Sequence, residues 1–326
     1  MRRLSVALLM SGLVLLSACS NRSTATDATP TKEALHDPSQ VGPYAVGVTT
    51  VMFERPSTAD GTPRRLETVI WYPREGGPED ADPVTDAAPL TVAGPFPIVV
   101  YSHGSGGKPL YQTFLTEHLA SHGFIVVAPP HPGNTSDDCV LCGSESIIPS
   151  ARERPSDVIF VLDEVVAMRG GADSLLGPIV DPDRTAIVGH SFGGWTAIYA
   201  AADEHFDAAV AQAPGQPDIL VGRAPNIAIP VMIIGAGKDE IVPPDGVQRL
   251  YDALTGAAAK EYVSLPEGHH LSFVDRCLGC TDALTEGRGW ELINRYTTAW
   301  LYVHVKGDGR YEEFLGPEPP DAVVLP

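Results

Sequence analysis

The chain has 326 residues, 44% of them hydrophobic and 7% aromatic. That is enough for one large core and, once terminal segments are set aside, for one domain. Its 41 acidic against 22 basic side chains give a net charge of −19, which repels nucleic acid and excludes it as a partner.

The amino-terminal segment reads as an address. Arg2 and Arg3 precede an apolar run over 4–18 that ends in small residues. This is the pattern of a secretory signal, and the run is short for a transmembrane span. The tetrapeptide LSAC at 16–19 resembles the lipobox of bacterial lipoproteins. The resemblance implies removal of residues 1–18 and acylation of Cys19. Ser20 stands where Asp would imply retention at the inner membrane, so an outer-membrane anchor is expected. Residues 19–40 are rich in Ser, Thr, Ala, Asp and Pro and read as a tether. A folded body is expected over 41–305 and a surface tail over 306–326.

Within the body the pattern alternates. Strands are expected at 67–73 and 96–104, separated by a polar insertion at 74–95. A helix at 110–123 stops at Gly123, and a strand follows at 124–130. A second helix is expected over 154–170, with Ser156 as its cap and Gly170 as its stop. A strand at 185–190 leads into a helix over 192–203. Strands at 206–214 and 229–237, a helix near 245–255, a strand at 261–266 and a last helix at about 290–304 complete the series. Such alternation with continuous apolar strands predicts an α/β fold with a mostly parallel central sheet and helices on both faces. Active sites in these sheets lie at the carboxyl ends of the strands.

Gly189-His190-Ser191-Phe192-Gly193 matches G-x-S-x-G between a strand and a helix. A serine nucleophile needs a sharp turn there, and side chains at 189 or 193 would collide with the neighbouring strand and helix. Its hydroxyl is inert without a base, and the base needs an orienting acid. In the order Ser, acid, His, the candidates are Asp239 just past a strand end, with Glu240 as its understudy, and then His269 or His270. The backbone N–H of Phe192 and that of Ser105, in the SHGSGG loop, are the expected oxyanion donors. His103, His118, His122, His131 and His190 read as structural, and Trp195 as core.

The segments IVVYSHGSGG, LTEHLASHGFIVVAPPHPG, GHSFGG, HLSF, IWYP and RPSDVIFVLDE together resemble platelet-activating-factor acetylhydrolases and dienelactone-hydrolase-like bacterial esterases. The resemblance covers about 41–305. It implies the α/β-hydrolase fold, ester hydrolysis and no cofactor or metal. Those families place the catalytic histidine three residues before a phenylalanine, which selects His270 ahead of Phe273. The acetylhydrolases carry their acid soon after the strand that follows the elbow helix. Here AVAQAPGQP has no carboxylate before Asp218, so the acid falls to Asp239, in a segment similar to bacterial cutinases. The expected chemistry is a Ser191–His270–Asp239 acyl-enzyme route on an ester. Phospholipid acetylhydrolase, polyester hydrolase, thioesterase, peptidase and a non-catalytic binding lipoprotein are the alternatives.

The short gap between Pro214 and Ile229 leaves no room for a large cap, so an open cleft is expected. Cys139 and Cys142, and Cys277 and Cys280, form two C-x-x-C pairs in an exported chain. Disulfides are expected, with pairing across the two loops favoured because it would clamp the histidine loop. A four-thiolate zinc site is the alternative.

Overall fold

The computed structural model describes residues 35–77, 80, 82–139, 142–171, 174–275, 287–318 and 320–325. In chain order the elements are β1 (Ala45–Pro56), β2 (Pro63–Arg74), β3 (Val84–Thr85), β4 (Phe96–Ser102), α1 (Thr113–Ser121), β5 (Ile125–Ala128), α2 (Ser144–Ala167), β6 (Val180–His190), α3 (Phe192–Ala200), β7 (Ala208–Gln212), α4 (Pro217–Leu220), β8 (Val231–Ala236), α5 (Pro244–Ala253), β9 (Lys260–Leu265), α6 (Arg288–His304) and β10 (Val323–Leu325).

The strands form one sheet in the order β10-β9-β8-β7-β6-β4-β5-β2-β1-β3. The stretch from β5 to β9 is parallel throughout. The β1–β2 hairpin joins it antiparallel through β2 and β5. Parallel strands covered on both faces must be apolar at every position. Accordingly β4, β7 and β8 are buried along their whole length. Ile98, Val100, Ile187 and Ile233 face α2, α3 and α5, whose Val161, Ile198 and Leu250 complete that core. Val99, Tyr101, Val188 and Met232 face α1 and α6, which contribute Leu119 and Trp300. Among the described residues no helix is long and apolar enough to cross a membrane.

Several elements depart from the sequence reading. The β1 strand was not expected, although its outer half alternates buried and exposed residues. Helix α2 begins at Ser144 and passes through Pro149 and Pro155, so Ser156 does not cap it. Its early turns are held from outside instead: Arg55, Ser57 and Thr58 all bond to Glu153. The polar 74–95 insertion does pack, since Tyr72 Oη donates to Ala87 O and β3 pairs with β1. At the far edge, β10 pairs antiparallel with β9. Pro38 and Gln40 accept bonds from His118 and His122, which fastens this stretch to α1.

Candidate active site

The β6–α3 turn is as tight as its glycines predict. A Cβ on Gly193 would stand 1.8 Å from Ser102 O, and one on Gly189 would stand 2.2 Å from Gly193 O. Ser191, between them, has φ 56° and ψ −117°. A non-glycine residue held there stores strain on the order of 1–3 kcal/mol, and such strain gathers at functional sites. The turn is pinned by Ser191 N donating to Gln212 O and by Gly215 N donating to Ser191 O.

Ser191 Oγ lies 2.8 Å from His270 Nε2, and His270 Nδ1 lies 2.7 Å from Asp239 Oδ2. The other carboxylate oxygen, Oδ1, accepts from the N–H groups of Ile241 and Val242. Asp239 comes from the loop after β8 and His270 from the loop after β9, so the carboxyl ends of β6, β8 and β9, with β7 between the first two, bring the three groups together. His190 Nε2 donates to His270 O, and the His190 ring stacks on Phe273. The histidine loop is thereby braced from beneath.

Glu240 is exposed and stands outside this chain of contacts. His269 closes a capping box with Ser272 at the start of the 3-10 turn His270–Phe273. Phe192 is the first residue of α3, so its N–H has no acceptor within the helix. Ser105 follows Gly104, whose Cβ would stand 3.3 Å from Ser191 Cβ. That loop therefore borders Ser191. Trp195 is buried and stacks on Tyr199. A groove of about 820 Å³ starts at Phe192 and is lined by Trp195, Tyr199, Ile147, Ile148 and Ile219.

The cysteine expectation is corrected. Cys139 bonds to Cys142, its local partner three residues on, and not across to the histidine loop. A C-x-x-C turn brings the two Cα atoms to 5.2 Å, within disulfide reach without any second loop. These two sulfurs are therefore unavailable to a zinc ion. Cys19, Cys277 and Cys280 lie outside the described residues.

A buried polar network behind the site went unread in the sequence. Asp157 accepts from Arg55, Arg64 and His131. His131 Nε2 accepts from Ser102 Oγ. Burial alone would raise Asp157, but hydrogen bonds from Arg64 and His131 and the charge of Arg64 outweigh it and hold the carboxyl at about 2. Burial, with the charge of Arg154, drives His103 well below the usual imidazole range and His131 to about 3. Burial and the neighbouring His270 do the same to His190. Burial lowers Arg154 to about 9, so it is still a cation at neutral pH. The signal was present: Arg154 and Asp157 fall on the helical stripe that carries Val158, Val161 and Val165, where a charge demands a partner.

A family model described as PET hydrolase-like matches residues 89–324. The chain belongs to that family. Cutinase 2 of Thermobifida cellulosilytica is 27% identical over 256 residues, covering 78% of this chain and 79% of the relative. Cutinase est1 of Thermobifida alba is 28% identical over 252 residues, covering 77% and 69%. The bis(hydroxyethyl) terephthalate hydrolase of Streptomyces coelicolor is 27% identical over 237 residues, covering 72% and 66%. The mostly parallel sheet with helices on both faces is the α/β-hydrolase fold of this PET hydrolase-like family. The chain is an enzyme, a carboxylic ester hydrolase of the serine class.

Proposed function

We propose that this enzyme cleaves apolar esters of the polyester type through Ser191, His270 and Asp239. The observation that carries the reading is the unbroken Asp239–His270–Ser191 relay, with contacts of 2.7 and 2.8 Å, ending on a serine at a strained elbow. Asp239 holds the proton of His270 on Nδ1, which leaves Nε2 free to take the Ser191 proton as Oγ attacks the ester carbonyl. The N–H groups of Ser105 and Phe192 receive the oxyanion, each worth about 3 kcal/mol of barrier. His270 then protonates the leaving alcohol and activates a water against the acyl-enzyme.

The substrate class is supported by the rim. Leu110, Tyr111, Ile241 and Leu271 are large, exposed and apolar. They sit on the loops that also carry Ser105, Asp239 and His270, where a polymer surface would rest. The names of the relatives, cutinases and a terephthalate ester hydrolase, point the same way. Ser191→Ala should abolish p-nitrophenyl butyrate and bis(hydroxyethyl) terephthalate turnover and leave the circular dichroism spectrum intact. Retained turnover overturns the assignment.

The signal over residues 1–18 and the LSAC tetrapeptide support export, with a lipid on Cys19 anchoring the enzyme to the outer membrane. Metabolic labelling with a palmitate analogue should mark the wild type and not Cys19→Ser. Equal labelling of the two rejects the anchor.

A further inference from the structure

We infer that Arg154 is a positioning residue for the oxyanion donors, fixing and polarising them from behind the site without touching substrate. The inference rests on the reading of Ser105 and Phe192 given above.

Arg154 is fully buried, and all five of its hydrogen-bond acceptors are neutral. Nε donates to Ser150 Oγ at 3.1 Å. Nη1 donates to His103 O at 2.6 Å and Ser102 Oγ at 3.4 Å. Nη2 donates to Asn134 Oδ1 at 2.8 Å and Gly104 O at 3.3 Å. Two successive peptide oxygens of the oxyanion loop thus point at one guanidinium.

The Gly104 carbonyl belongs to the same peptide plane as the Ser105 N–H. Three donors converge on that oxygen: His103 Nδ1 at 2.7 Å, Gly107 N at 3.1 Å and Arg154 Nη2 at 3.3 Å. The His103 contact is a true donation, because His103 Nε2 accepts from His131 N and the ring proton therefore sits on Nδ1. Hydrogen bonds at a carbonyl oxygen draw electron density from the amide and make its N–H a stronger donor. They also stop the plane from rotating, so no reorganisation is needed when the negative charge forms. On the other flank, the Arg154 guanidinium carbon lies 4.4 Å from the centroid of the Phe192 ring. This cation–π contact seats the residue whose N–H is the second donor.

Asp157 supports the charge of Arg154 through space, but among the described residues no hydrogen bond of the guanidinium ends on a carboxylate. Asp157, the carboxylate one helical turn along, is already bound by Arg55, Arg64 and His131. A buried cation with neutral hydrogen-bond partners, next to a site that develops an oxyanion, lowers the energy of that state more than that of a neutral ester.

Two variants test this. Arg154→Lys keeps a cation but loses the fork that reaches both peptides. Asn134→Asp is isosteric and gives Arg154 a carboxylate partner, which screens its field. It also ends the Asn134 Nδ2 donations to Ser105 Oγ and Ser146 Oγ, so it is read against Asn134→Leu, which loses the same donations without adding a charge. The readouts are kcat and KM for p-nitrophenyl butyrate, the inhibition constant of phenylboronic acid, which forms a tetrahedral adduct on the serine, and the melting temperature. We expect kcat to fall 10- to 100-fold in Arg154→Lys and about tenfold in Asn134→Asp. KM should stay within twofold, and boronate binding should weaken in step with kcat. If Arg154→Lys does not fold, Asn134→Asp, read against Asn134→Leu, carries the test alone. A folded variant whose kcat and boronate affinity stay within twofold of wild type overturns the proposal, as does a loss of kcat with unchanged boronate binding. Survival of activity in Ser191→Ala would instead overturn the underlying catalytic reading.

Discussion

Replacing Asp239 by Asn removes one charge and no volume, and the contacts around it set the outcome. Asp239 Oδ1 accepts from two backbone donors, Ile241 N at 2.9 Å and Val242 N at 2.7 Å. An asparagine must keep its carbonyl oxygen there, since an NH₂ group facing two N–H groups would leave three donors without an acceptor. Its NH₂ is then forced toward His270 Nδ1, the atom now 2.7 Å from Oδ2. That nitrogen must become an acceptor, and the imidazole proton moves to Nε2. Facing Ser191 Oγ at 2.8 Å, a protonated Nε2 cannot take the serine proton. The wrong tautomer costs on the order of 10⁴ in kcat in serine triads, about 5.4 kcal/mol of barrier. The assay is steady-state hydrolysis of p-nitrophenyl butyrate at pH 7, with circular dichroism as the fold control. A folded Asp239→Asn protein that keeps more than a tenth of wild-type kcat refutes the tautomer argument and removes Asp239 from the relay.

Two further outcomes follow from the same contacts. His270→Ala should lose at least 10³-fold in kcat, whereas His269→Ala should lose less than tenfold, because its role is to cap the turn that begins at His270; paired kinetics that reverse this order would exchange the two roles. Stability should fall as the medium is acidified below about pH 6.5. His103, His118, His122, His131 and His190 all have imidazoles held below their ordinary range, chiefly by burial. The unfolded chain then binds protons that the folded one refuses, so each contributes a loss of up to about 1.4 kcal/mol per pH unit on the way down. Asp157, held at about 2, adds its own loss only as pH falls below its ordinary value of 3.8. Urea unfolding at pH 7, 6 and 5 measures this, and equal free energies at pH 7 and 5 would contradict it.

What the sequence carried and what it hid divide on physical lines. The parallel strands are legible because both their faces are buried, so β4, β7 and β8 show as unbroken apolar runs. The β6–α3 turn is legible because steric exclusion permits only glycine at 189 and 193. Helix α2 is misread at its start because Pro149 and Pro155 each remove a backbone donor, which locally argues for a break. Tertiary bonds to Glu153 and Arg154 override that preference; the apolar stripe shows that Arg154 needs a partner, but nothing in the local window says which distant groups supply it. The cysteine pairing was misjudged for a related reason. Four cysteines admit three connectivities, and only backbone geometry distinguishes them. The choice of His270 over its neighbour came from the spacing to Phe273; in the structure His190 stacks on that same phenylalanine.

The β1–β2 hairpin precedes the region matched to the family, residues 89–324. It nonetheless sends one arginine from each strand, Arg55 and Arg64, to the single carboxylate of Asp157. From there the path runs through His131 to Ser102, the last residue of the strand that feeds the Ser105 loop. Trimming the chain to its family-matched length in search of a smaller catalyst would therefore sever a mooring line to the reaction centre. The shortened protein would lose that mooring together with Leu66, Ile70 and Tyr72 of the core and the strand that pairs with β5.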